Sequence, residues 1–254
     1  AITGDEEGDA KDGTVAILDW MNENNEKIDH CLVGEPTSQE CLGDIIKIGR
    51  RGSFTAKLTV YGVQGHVAYP EKAINPLPAL SELLLCLENK TLDLGTEFFD
   101  QSSFAITTID TGNSSSNIIP NKAEATINIR FNDLHSDASL TRWVKKSIKK
   151  IMKEKGVNIE LDTNTSAHPF ICVPGEFVNI VSNCIESQTK IYPSQSTSGG
   201  TSDARFIQSY CPVVEFGLVG KTMHKIDENV DIQQVRDLST IYKNILKAYL
   251  VSLV

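Results

Sequence analysis

Two adjacent glutamates, Glu6 and Glu7, stand in the run Asp5-Glu6-Glu7-Gly8 near the start of a chain of 254 residues. Neighbouring side chains on such a turn point different ways, so one carboxylate can ligate a metal ion while the other addresses water beside it. Zinc accepts carboxylate oxygen and imidazole nitrogen, and it makes water more acidic. Taken alone, the same residues are also an ordinary acidic turn. Glu35, in Val33-Gly34-Glu35-Pro36, adds a carboxylate just past an apolar run, and strand ends are where α/β sheets hold their ligands. His224, in Met223-His224-Lys225, follows another apolar run and supplies an imidazole. A second histidine, His66, lies between the turn residues Gly65 and Pro70, which would expose it to donate to a developing oxyanion or leave it idle at a loop tip. Arg50, Arg51 and Arg130 could clamp a carboxylate in the bidentate fashion arginine favours, or be plain surface cations. Ser198-Gly199-Gly200-Thr201-Ser202-Asp203 could turn backbone N–H groups toward an anion, but it lacks the Gly-Lys-Ser/Thr of a phosphate loop.

The elements that must position these residues follow from periodicity. Apolar spacing predicts a helix over 13–24, a short strand over 30–34 stopped by Pro36, and another strand over 44–50. Residues 1–3 read as the end of a buried strand that runs into the acidic turn. From residue 53 the pattern alternates: a strand over 54–61, a helix over 75–88 with two prolines in its first turn, and strands over 103–110 and 123–132. A long amphipathic helix over 137–155 and a strand over 158–163 complete the order βαββαβ, the split, ferredoxin-like arrangement. Beyond residue 165 the chain returns to α/β character, with helices over 176–189 and 231–251, the second capped by Asp231, and a strand over 212–218. Residues 1–51 and 165–254 are thus expected to form one domain, interrupted by an insert over 52–164.

The bulk numbers exclude several classes. With 24 Lys+Arg against 33 Asp+Glu the net charge is -9, which repels a phosphate backbone, so no nucleic acid is expected as a partner. The basic run from Lys145 to Lys155 sits on a helix-patterned stretch and reads as a solvated face. Six scattered cysteines without a CxxC pair indicate neither a zinc knuckle nor a disulfide framework. No apolar run approaches the ~20 residues that span a bilayer, and a cytoplasmic protein with no membrane partner is expected.

Together and in this order, the acidic turn, Val33-Gly34-Glu35-Pro36, Gly49-Arg50-Arg51-Gly52, Gly65-His66-Val67-Ala68-Tyr69-Pro70, Asn117-Ile118-Ile119-Pro120, the 198–203 loop and Met223-His224-Lys225 resemble the M20 metallopeptidase family over the whole chain. The resemblance implies an M20-type zinc hydrolase catalytic domain, here partial, with a ferredoxin-like lid and dimerisation domain inserted. It implies hydrolysis of N-succinyl-L,L-diaminopimelate to succinate and L,L-diaminopimelate, by a homodimer with two Zn2+ per subunit, one replaceable by Co2+. Glu6 would be the general base, and Glu7, Glu35 and His224 metal ligands. His66 would reach the scissile carbonyl from a partner subunit, and Arg50, Asn117, Arg130 and Thr201 would contact substrate. Family members also carry a histidine ligand and a bridging aspartate upstream of the acidic turn; the chain is expected to lack that segment and so to be impaired. Alternatives are a deacylase of acetylornithine deacetylase or aminoacylase type, and a noncatalytic dimerisation fragment.

Overall fold

The computed structural model describes residues 1–252 and divides into two compact units, one formed by Ala1–Arg50 with Phe170–Val254 and one by Arg51–Pro169. In chain order, the first unit opens with α1 (Thr14–Glu23), β1 (Cys31–Val33), β2 (Ile45–Lys47) and β3 (Gly49–Arg50). The inserted unit follows with β4 (Gly52–Tyr61), β5 (Gly65–His66), α2 (Pro76–Glu88), β6 (Ser103–Asp110), β7 (Ile118–Ile119), β8 (Lys122–Phe131), α3 (Asp137–Lys155) and β9 (Asn158–Ala167). The return contributes β10 (Phe170–Ile171), α4 (Glu176–Thr189), β11 (Ser194–Ser196), α5 (Ala204–Ile207), β12 (Val213–Glu215) and α6 (Ile232–Ser252).

In the inserted unit the four long strands form an antiparallel sheet in the order β6-β8-β4-β9, with α2 and α3 on one face. This is the ferredoxin-like topology. Alternation along β4 sends Phe54, Ala56, Leu58 and Val60 to that face, fully buried. Their register partners on β8 are Ile129, Ile127, Ala125 and Ala123, so in three of the four pairs a larger side chain meets an alanine across the ladder. Leu80, Leu83 and Leu87 of α2 and Leu140, Val144 and Ile151 of α3 cover this layer, each contributing about 1.5–3 kcal/mol by burial. The helices are also specified at their ends. The Asn75 side chain accepts from Leu77 N at 3.0 Å with Pro76 in the first turn, and Ser136 and Ser139 form a reciprocal capping box on α3. Gly156 then ends α3 in the left-handed conformation. A small ribbon, β5 with β7, stands apart from the sheet.

In the discontinuous unit a mixed sheet runs β1-β12-β2-β11. β1 is parallel to β12 and β2 parallel to β11, whereas β12 and β2 are antiparallel. Ile46, Val214 and Phe216 lie at its centre, and α4 packs on α6. Four readings from sequence change in the structure. The strand expected over 44–50 is two: Ile48 N donates to Ser196 O at 3.1 Å, and the chain then changes partners to pair Gly49–Arg50 with β10. The strand over 212–218 ends at Glu215, because Gly217 is held by side chains instead of a ladder, its N–H donating to Thr37 Oγ1 and its carbonyl accepting from Ser38 Oγ. Residues 1–3, expected at a strand end, have no ladder partner among the described residues and leave Ile2 fully exposed, since a strand forms only against a neighbour. The insert's last strand runs past 163 to Ala167, so the division between units falls at 169/170 instead of 164/165.

Candidate active site

A cleft of about 660 Å³ opens in the discontinuous unit, and Glu6, Glu7, Glu35, Lys47, Arg50, Thr201 and His224 all line it. Their positions in sequence span nearly the whole chain, and the sheet brings them together. Glu35 follows β1, and Lys47 and Arg50 belong to β2 and β3. Thr201 is in the loop between β11 and α5, and His224 is in the turn after β12.

The acidic turn is shaped by its first residue. Asp5 Oδ2 accepts from the backbone N–H of Lys11 at 2.6 Å and of Asp12 at 2.9 Å, and these bonds hold the Asp5 carboxyl below its ordinary range. That leaves Glu6 and Glu7 to point elsewhere. Glu7 is exposed, and its Oε1 lies 3.8 Å from Nε2 of His224. His224 has φ of 59°, a left-handed conformation that is costly for a residue with a Cβ. The turn is held by Thr222 and Asn229, which exchange two bonds: Thr222 Oγ1 donates to Asn229 O at 2.8 Å and accepts from Asn229 N at 3.0 Å.

Glu35 and Glu6 share an acidic environment. Burial, followed by the charges of Glu215 and Glu6, pushes the Glu35 carboxyl up to about 7. Burial and then Glu7 and Asp203 raise Glu6. Carboxylates that repel one another in this way are relieved by a proton or by a cation. The donors therefore suit a divalent metal: Glu7 and His224 form an oxygen–nitrogen pair of the kind zinc accepts, with Glu35 and Glu6 in the same cleft. Among the described residues, however, no three such groups gather closely enough to hold an ion by themselves.

Arg50 is buried and engaged with a residue that sequence reading did not single out. Its Nε donates to Glu215 Oε1 and Oε2 at 2.9 and 3.1 Å, and its Nη2 donates to Oε2. Lys47, also unanticipated, is buried and donates to Ser196 and Ser198 Oγ at 3.1 and 3.0 Å. The signal for Glu215 was a lone carboxylate inside the apolar run 212–218. A buried charge needs a partner, and nothing in that run supplies one.

The remaining expected residues belong to the inserted unit. His66 is exposed on β5, pairs with Ile118 of β7, and its Nδ1 accepts from Ala68 N at 3.0 Å. Asn117 adjoins it, its carbonyl accepting from Val67 N at 3.1 Å. Arg130 lies on β8 opposite Ser53 and Ser103, in the four-stranded sheet and not in that ribbon.

Residues 48–158 match the model of a peptidase dimerisation domain of the M20 group. The chain is 56% identical over 248 residues to a succinyl-diaminopimelate desuccinylase of Cereibacter sphaeroides, covering 98% of this chain and 65% of that protein. A desuccinylase of Dinoroseobacter shibae is 54% identical over 249 residues, with 98% and 66% covered. The chain thus spans about two thirds of the length of these curated relatives. Among solved structures, aminopeptidase PepT of Bacillus cereus has a TM-score of 0.77 at 16% identity, covering 96% of this chain and 62% of that one. A tripeptidase of Staphylococcus aureus gives 0.77 at 18%, with 97% and 62% covered. With the fold shared by these peptidases, the dimerisation domain in the insert and the desuccinylases similar along nearly its whole length, the chain belongs to the M20 metallopeptidase family.

Proposed function

We propose that this chain belongs to a metal-dependent amide hydrolase that cleaves N-succinyl-L,L-diaminopimelate to succinate and L,L-diaminopimelate in the cytoplasm. The observation that carries the reading is the convergence of Glu6, Glu7, Glu35 and His224 on one cleft, with Glu7 and His224 3.8 Å apart. The desuccinylase relatives support the choice of substrate. Glu7, Glu35 and His224 would hold metal, two Zn2+ per subunit with Co2+ able to replace one. Bound zinc is a Lewis acid that polarises a carbonyl and acidifies water. Glu6 takes the proton of the attacking water and returns it to the departing amine. In a homodimer, the partner subunit's His66 donates to the oxyanion. Arg50, Thr201, Asn117 and Arg130 hold the substrate's carboxylates.

The test uses protein spanning the relatives' whole length, loaded with zinc. Succinate release from the succinyl substrate should exceed deacylation of N-acetylornithine, and the reverse order would replace the desuccinylase reading with that of another deacylase. Glu6→Gln should keep its zinc while kcat falls about 10²–10⁴-fold. Loss of zinc in parallel with activity would remove Glu6 from the role of base. Alone, the present chain should bind zinc weakly in a calorimetric titration, because its donors come no closer than a pair.

A further inference from the structure

The buried pair Arg50–Glu215 ties the floor of the cleft to the glycine-rich loop above it. Glu215 is 1% exposed and ends β12, between Val33 of β1 and Lys47 of β2 in register. Its carboxylate accepts from Arg50 Nε, Arg50 Nη2 and, at 2.8 Å, Ser202 Oγ. On the other side of the same guanidinium, Nη1 donates to Gly200 O at 3.2 Å and Ser198 O at 3.5 Å. The loop has been shaped to lie this close: Gly199 has φ of 104°, and a Cβ there would sit 2.7 Å from Arg50 Nη1. Both ends of the segment 198–202 are therefore fastened to one two-residue unit, its carbonyls to Arg50 and its Ser202 hydroxyl to Glu215. Thr201 lies between the fastenings and lines the cleft.

We infer that Glu215 is a positioning residue: through Arg50 and Ser202 it fixes the 198–202 loop, and with it Thr201 and the edge of Arg50 that faces the cleft, in the geometry that receives a substrate's carboxylate. Arg50 is on this account first a brace and only then an anion contact, since Nε, Nη1 and one side of Nη2 are already taken up inside the protein. A lysine at position 50 could not do this, because a single ammonium lacks the two edges that reach Glu215 and the loop carbonyls together. A buried acid and base that lose one partner leave an uncompensated charge, so the pair stands or falls as a unit. As far as turnover is concerned, the inference rests on the amide-hydrolase reading above.

Two measurements test it on Glu215→Gln, which keeps the side-chain volume but places an N–H where Arg50 requires an acceptor. Hydrogen exchange followed by mass spectrometry on the present chain should show amides of 198–202 exchanging at least tenfold faster than in the parent, with exchange in the inserted unit unchanged. In the zinc-loaded protein of the relatives' full length, kcat/KM should fall at least tenfold, mainly through KM, with metal content unchanged. Should Glu215→Gln fail to fold, Ser202→Ala removes one fastening and leaves the ion pair, and it should show the same two changes a few-fold in size. Unchanged exchange in the loop would overturn the inference, as would faster exchange with unaltered KM. Absence of amide hydrolysis in the parent would instead refute the proposed function, and the exchange measurement on this chain would still decide whether Glu215 is the brace.

Discussion

Gly217 stands so close to the backbone carbonyl of Glu35 that a Cβ at that position would overlap it. Because the obstacle is backbone, it cannot swing aside as a side chain would, and Gly217→Ala must move the segment that presents Glu35 to the cleft. Overpacking of this kind costs about 1–3 kcal/mol, and a lowered urea midpoint together with weaker zinc binding in the full-length protein would report it. Gly4→Ala is the control, since no atom lies within 4 Å of the added carbon; its midpoint should shift by less than about 0.5 kcal/mol equivalent. Asp93 in the inserted unit makes a second case at this scale. Burial raises its carboxyl, but bonds from the Ser102 side chain, from the Gly95 and Ser102 N–H groups and from Asn132 Nδ2 outweigh burial and hold it below its ordinary value. Depression in the folded state means that the stabilisation is complete above the unfolded pKa of ~3.9 and is lost as pH falls through the lower folded value. Asp93→Asn should therefore flatten the acid limb of the unit's stability-against-pH curve, and an unaltered limb would rule this carboxylate out as its source.

At the level of elements, the inserted unit is held by helices whose ends and faces are both specified. Ser136→Ala removes the capping hydroxyl that accepts from Ser139 N at 3.2 Å, and a loss of about 0.5–2 kcal/mol is expected in chemical denaturation. Leu83 is fully buried between α2 and the sheet; Leu83→Ala should cost about 2–5 kcal/mol because a cavity is left where neighbours cannot close in. The two losses should add within about 0.5 kcal/mol, as the sites share no partner. A cap loss equal to the core loss would mean that helix ends, and not burial, dominate this unit. The short elements of the other unit behave differently. β2 and β3 are held by a change of partner at Ile48 and Gly49, with Gly49 packed directly on the Phe170 carbonyl. That bend carries Arg50 away from the line of β2 and toward Glu215.

For the molecule as a whole, the insert has its own core, its own sheet and both of its helices within residues 51–169. Excised as that fragment it should unfold in one cooperative transition, followed by circular dichroism in urea. On the dimer reading it should also sediment at twice its chain mass, and a monomer at micromolar concentration would place the dimer contacts elsewhere. The discontinuous unit has no such independence in sequence, since its sheet draws β1 and β2 from before the insert and β11 and β12 from after it.

Long, strongly periodic elements were legible from the residues themselves: α2, α3, β4 and β8 lie where alternation and helical spacing put them, because each has one face committed to a core over many residues, and β6 follows its alternation with only Phe104 and Ile106 packed on that core. Short elements were not. β5, β7, β10, β11 and α5 span two to four residues each, too few for any period, and exist only because a partner comes alongside. The same division runs through the site. Glu6, Glu7, Glu35, Arg50, Thr201 and His224 could be named from residue type and family motif, and the sequence by itself determined which chemistry they suit. Only the tertiary structure decided that Glu7 meets His224, that burial and then the charges of Glu215 and Glu6 raise the Glu35 carboxyl, and that Arg50 is bound to Glu215. Charge interactions depend on distance and burial, and those arise when a strand from one end of the chain is laid against a strand from the other.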